Sequence, residues 1–90
     1  MREGTVLVCN TLGLHARAAA QLVKAAGRFD SLITLCRVDR NIEANAKSIL
    51  SVLTLAAALG TELRLSVEGP DEDLAFDAIA KLFEERFGET

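Results

Sequence analysis

His15 is the only histidine in the chain, and it stands between Gly13-Leu14 and Ala16-Arg17. The glycine side reads as a loop and the alanine-rich side as the start of a helix. The first backbone N–H groups of a helix have no internal partners, and the helix dipole adds positive potential there. Such an end receives anions readily. An imidazole placed at that end can act as a nucleophile toward a phosphoryl group. The N–H groups of Ala16, Arg17 and Ala18 would then face the oxygens of the product. Arg17 adds a permanent charge able to grip two oxygens at once. Alanines at 16, 18, 19 and 20 are expected to leave the approach open. Taken bare, a histidine at a helix start is more often a cap or a surface residue.

Other chemistry is sparse. Cys9 and Cys36 have no Cys-x-x-Cys partner, and with one histidine no zinc set can be assembled. They are expected to be small strand residues, with no metal and no bound cofactor. No motif places a second acid–base group near His15, so an independent enzyme is not indicated. Ser48 precedes the apolar Ile49-Leu50, where a serine ordinarily caps a helix.

The rest of the composition bounds the partners. The 90 residues carry a formal net charge of −3, half are hydrophobic, and 26% are charged. That is a folded chain, sized for one domain over residues 1–90. The core must be aliphatic, since there are four Phe and neither Trp nor Tyr. No basic stripe and no stacking aromatics are present, which argues against nucleic acid. Met1-Arg2-Glu3-Gly4 shows no apolar leader, and no run reaches the length of a membrane span. The expected location is therefore the cytosol.

Seven elements are expected to position these groups. Strands are read at Thr5–Cys9, Ser31–Val38, Ile42–Ala44 and Thr61–Glu68, the last with clean alternation of Leu63, Leu65 and Val67 against polar neighbours. Helices are read from His15 to Arg28, with Gly27 near its end, and from Ala46 to Leu59, with Gly60 as its cap. A third helix starts at Asp71 or Asp73, turns Leu74, Phe76, Ile79, Leu82 and Phe83 mainly to one face, and stops at Gly88. The order β-α-β-β-α-β-α implies an α+β fold of two layers, with the helices on one face of the sheet. The other face would carry Leu7, Cys9, Leu32 and Cys36.

Gly13-Leu14-His15-Ala16-Arg17 resembles the phosphorylation signature of the HPr family, the histidine-containing phosphocarriers of the phosphoenolpyruvate-dependent phosphotransferase system. Asn45-Ala46-Lys47-Ser48-Ile49-Leu50 is similar to the segment around that family's regulatory serine. Gly69 followed by Asp71-Glu72-Asp73 resembles its approach to the last helix. The resemblance implies an open-faced β-sandwich with a four-stranded antiparallel sheet. It implies that His15 takes a phosphoryl group from enzyme I and gives it to a IIA-type protein or domain, with Arg17 stabilising the group. It further implies Ser48 as the target of an HPr serine kinase/phosphorylase, and a monomeric carrier. One departure stands out: the family usually has proline where this chain has Ala18. The helix survives that change, but its first turn is expected to be less preorganised.

Leu12, Leu82-Phe83 and Phe87-Gly88-Glu89 look like the nitrogen-related branch of the family. Lys47-Ser48-Ile49 looks like the sugar-uptake branch. In the second helix Val52, Leu55 and Leu59 are expected to face the core, which leaves Ile49, Leu50 and Leu53 partly exposed. With Ala20, Lys24 and Lys47 they would form a docking patch beside His15. The alternative to a carrier is a binding module that uses this patch without being phosphorylated.

Overall fold

Leu63, Leu65 and Val67 alternate with Glu62, Arg64, Ser66 and Glu68, and all three are fully buried. That alternation builds the central strand of the sheet. A computed structural model describes residues 1–89. Its strands are β1 (Arg2–Leu7), β2 (Leu32–Arg37), β3 (Ile42–Asn45) and β4 (Glu62–Glu68), and its helices are α1 (Ala16–Ala26), α2 (Ile49–Leu53) and α3 (Glu72–Glu84). The sheet order is β1-β4-β2-β3, and every pairing is antiparallel. Thr5 pairs with Arg64, and Arg64 pairs with Cys36.

The three helices close over one face of this sheet. Ile33, Leu35, Leu63, Leu65 and Val67 meet Leu22 of α1, Val52 of α2, and Ile79 and Phe83 of α3. Burying each of these large side chains contributes roughly 1.5–3 kcal/mol. The opposite face is open. Leu7 and Leu32 are exposed there, while Cys9 and Cys36 are half-buried free thiols.

The second helix departs from the expectation of Ala46–Leu59. Only Ile49–Leu53 is α-helical, Ala56 takes a left-handed φ of 47°, and Gly60 caps no helix. Tertiary partners take carbonyls in the stretch that a longer helix would occupy. Arg37 donates to the oxygens of Leu55 and Ala56 at 3.0 and 2.8 Å, and the Leu14 N–H donates to Ala57 O at 2.9 Å. Gly60 instead donates its N–H to Val8 O at 2.8 Å. The unwinding leaves Leu55 buried but turns Leu59 outward, 56% exposed, against the expectation that it faces the core. Ala46 is buried beyond β3, with its N–H on Ile33 O.

The third helix also differs at both ends. Asp71 stands at its N-cap position but makes no cap bond to α3. Its carboxylate accepts instead from Asp30 N, Ser31 N and Ser31 Oγ, tying the start of β2 to the start of α3. Ala75, Ile79 and Phe83 are buried, Phe76 and Leu82 pack partly, and Leu74 is exposed rather than on the apolar face. The helix stops at Glu84 rather than Gly88. A 3₁₀ turn at Arg86–Gly88 follows, in which Phe87 is buried against Phe83.

Candidate functional site

Gly13 sets the loop that delivers His15. Its φ is +68°, and a Cβ there would lie 2.6 Å from Ala57 O, so only glycine fits both the backbone and the space. The chain then passes through buried Leu14 to His15, which is the N-cap of α1 in extended geometry. The imidazole does what a capping Ser or Asp does elsewhere: Nδ1 accepts the Arg17 N–H at 3.2 Å. The helix ladder begins at Ala19, whose N–H reaches His15 O at 2.8 Å. Among the described residues the N–H groups of Ala16 and Ala18 find no acceptor. Three donors therefore lie at the start of α1, one of them held by the ring nitrogen.

The other ring nitrogen faces a carboxylate. Nε2 lies 2.7 Å from Glu89 Oε2 and 3.0 Å from Oε1, and the two side chains are 28% and 16% exposed. Asn10 backs this pair from inside the protein. It is fully buried, and its Nδ2 donates to Gly13 O at 2.7 Å and to Glu89 Oε1 at 2.9 Å. The hydrogen bonds from His15 and then Asn10 hold the Glu89 carboxyl below its ordinary 4.5 against desolvation, with the charge of Arg17 acting in the same direction. Thr11, Leu12, His15, Arg17, Gly88 and Glu89 line an open basin of about 800 Å³.

The residues singled out in the sequence are placed as follows. Arg17 is exposed in the first turn of α1, where its guanidinium has no ion-pair partner among the described residues. Ala16 and Ala20 are exposed, but the side chains of Ala18 and Ala19 are fully buried in the core. Only two of the four alanines therefore open the approach, because the helix turns the other two toward the sheet. Ala20 and Lys24 continue an exposed stripe along α1. Ile49, Leu50 and Leu53 are exposed on α2, which packs on α1, and Lys47 precedes them with its ammonium on Phe29 O. Ser48 is the N-cap of α2, its Oγ accepting from Ser51 N at 3.4 Å. No metal set of three or more His, Cys, Asp or Glu side chains gathers among the described residues.

Asn10 and Glu89 were not legible as site residues. Asn10 reads as a strand breaker, and Glu89 only as part of the Phe87-Gly88-Glu89 resemblance to the nitrogen-related branch, 74 positions from His15. No local signal marks either one.

Known proteins share this chain's sequence pattern and fold. The family described as PTS HPr component phosphorylation site matches residues 2–85. The phosphocarrier protein HPr of Treponema pallidum is 54% identical over 85 residues, covering 94% of both chains. The phosphocarrier protein NPr of Shewanella violacea is 41% identical over 87 residues, covering 97% of this chain and 93% of its own. A crystal structure of HPr from Thermoanaerobacter tengcongensis superposes with a TM-score of 0.94 at 41% identity, covering 100% of this chain and 99% of that one. The chain belongs to the HPr family of phosphotransferase-system phosphocarriers.

Proposed function

We propose that this carrier accepts its phosphoryl group on Nδ1 of His15 and holds it with Arg17 and the N–H groups of Ala16, Arg17 and Ala18. The observation that carries this reading is the hydrogen bond from Arg17 N to Nδ1. A nitrogen that accepts an N–H presents a lone pair, and a lone pair is what a phosphoryl acceptor needs. On transfer, the Nδ1–P bond forms as the donor's bond to phosphorus breaks, and the donor atom keeps that electron pair. The Arg17 N–H then passes from Nδ1 to a phosphoryl oxygen, where a charge-assisted bond is stronger than the one it replaces. Ala18 contributes a donor that the family's usual proline lacks, and this partly offsets the looser first turn.

Family membership puts the partners within the phosphotransferase system, such as enzyme I and IIA-type proteins. Here enzyme I is the donor, and a IIA-type protein or domain accepts the group in sugar uptake or nitrogen-related regulation. Both dock in turn on Ala20, Lys24, Lys47, Ile49, Leu50 and Leu53, because donor and acceptor must each bring phosphorus to the same nitrogen. An apolar patch ringed by lysines suits acidic, partly apolar partners. The chain acts in the cytoplasm as a single-domain monomer, without a cofactor. An HPr serine kinase/phosphorylase regulates it through Ser48.

Intact-mass measurement after incubation with cognate enzyme I, Mg²⁺ and phosphoenolpyruvate tests the acceptor. One acid-labile phosphoryl adduct is expected on the wild type and none on His15→Ala. An adduct that survives in the variant removes His15 from the role.

A further inference from the structure

The turn after α3 follows the residues that the family model matches, which end at 85. Arg86 and Phe87 both take left-handed backbone angles, φ 56° and 54°. For residues other than glycine, that conformation is strained. The pair reverses the chain. Phe87 is pressed edge-on against Phe83 with ring centroids 5.0 Å apart, and Glu89 is brought back to the imidazole.

Asn10 meets Glu89 from the opposite side. Its amide nitrogen has acceptors in both Gly13 O and Glu89 Oε1, so a reversed amide would set oxygen against oxygen twice. Its Oδ1 is buried with no partner among the described residues, and leaving such an acceptor unpaired costs stability. Two strained residues and the buried Asn10 amide N–H thus hold a single carboxylate against Nε2.

We propose that Glu89, braced by Asn10, is a positioning residue for phosphoryl acceptance: its carboxylate keeps the imidazole proton on Nε2 and so leaves Nδ1 as the unprotonated nucleophile. The proposal rests on His15 being the acceptor. A carboxylate behind a histidine sets tautomer and ring orientation in the same way in hydrolase triads. The proton balance follows directly. Nε2 keeps its proton throughout, no proton leaves Nδ1 because none is there, and the ring gains positive charge as the Nδ1–P bond forms. The Glu89 carboxylate, 2.7 Å from Nε2, offsets that charge. When the group moves on, the Nδ1–P bond breaks, its electron pair returns to Nδ1, and the same tautomer is restored.

The test compares wild type with Glu89→Ala and Glu89→Gln, each checked for an unchanged fold by its amide spectrum. Proton and nitrogen spectra of ¹⁵N-histidine-labelled protein report the imidazole without any phosphoryl donor. The wild type is expected to show a downfield Nε2 proton protected from exchange. In Glu89→Ala that proton exchanges rapidly, and the tautomer ratio relaxes toward a mixture. Acceptance from phosphorylated enzyme I is expected to fall about tenfold in kcat for Glu89→Ala, with KM unchanged. Glu89→Gln should be intermediate, because the amide oxygen still accepts the Nε2 proton but brings no charge. Equal proton exchange in wild type and Glu89→Ala overturns the proposal, and so does an equal kcat. A wild type that takes no phosphoryl group fails the carrier chemistry at His15 itself, whereas the proton resonance still decides whether Glu89 sets the tautomer.

Discussion

His15 caps α1 through a ring nitrogen, and in the proposed function the same nitrogen carries the phosphoryl group. The cap bond to Arg17 N makes Nδ1 an acceptor and places it where the positive end of α1 can receive phosphoryl oxygens. Arg17 is exposed and makes no ion pair among the described residues, so its guanidinium is available for the incoming group. Arg17→Ala is therefore expected to slow phosphoryl acceptance by about 100-fold, the scale of losing one positioned donor. Stability should change by no more than about 0.5 kcal/mol. Arg17→Lys should recover only part of the rate, because an ammonium cannot grip two oxygens in one plane. Rates from phosphorylated enzyme I, set beside urea unfolding of the same variants, check both statements.

At the scale of elements, two short connections decide the site. The loop Asn10–Leu14 and the segment after α2 lock together through Gly13, Leu14 and Ala57. Gly13→Ala forces a left-handed alanine and sets its Cβ against the Ala57 carbonyl. A loss of about 2–4 kcal/mol in urea unfolding is expected, with phosphoryl acceptance impaired even where the protein remains folded. The short α2 carries the second device. Ser48→Asp keeps a good N-cap, so stability should stay within about 0.5 kcal/mol. The added charge would sit beside Ile49 and Leu50 in the proposed docking patch, so acceptance from the donor is expected to fall about tenfold. An unchanged rate would remove Ser48 from any regulatory role at this surface. The periodicity of α1 and α3 was legible because their buried residues recur every three to four positions. The length of α2 was not, because its sequence favours helix throughout, and only Arg37 and Leu14, reaching in from other elements, take its carbonyls.

Across the whole molecule, four carboxyls are held below their ordinary values in the folded state. Asp71 is held down chiefly by the Ser31 hydroxyl, Glu72 by the Gly69 N–H, Glu89 by His15 and Asp39 by Arg37. A depressed carboxyl stabilises the fold fully above its unfolded value, and that contribution is lost as pH falls through the lower folded value. Stability should therefore be flat near neutrality and decline from about pH 5 downward. Asp71→Asn should be less stable at neutral pH and show a shallower decline below the ordinary 3.8 of its carboxyl. Urea midpoints measured across that range give the comparison. An identical slope in the variant would show that the Asp71 bonds to Ser31 and Asp30 do not couple to folding.

The sequence by itself determined the order of elements, the layer architecture and the placing of His15 and Arg17 together at a helix start. Each of these follows from local periodicity, or from residues within a few positions of one another, where one helix start fixes the geometry. The tertiary structure decided the rest. It turned Ala18 and Ala19 into the core, shortened α2, exposed Leu59 and Leu74, and set Asn10 and Glu89 behind His15. The reason is the same in each case. A carbonyl claimed by a distant arginine, or a carboxylate returned to an imidazole 74 residues away, is a contact between separate segments. Closing such contacts depends on how the whole chain packs, and no window along the sequence contains both partners.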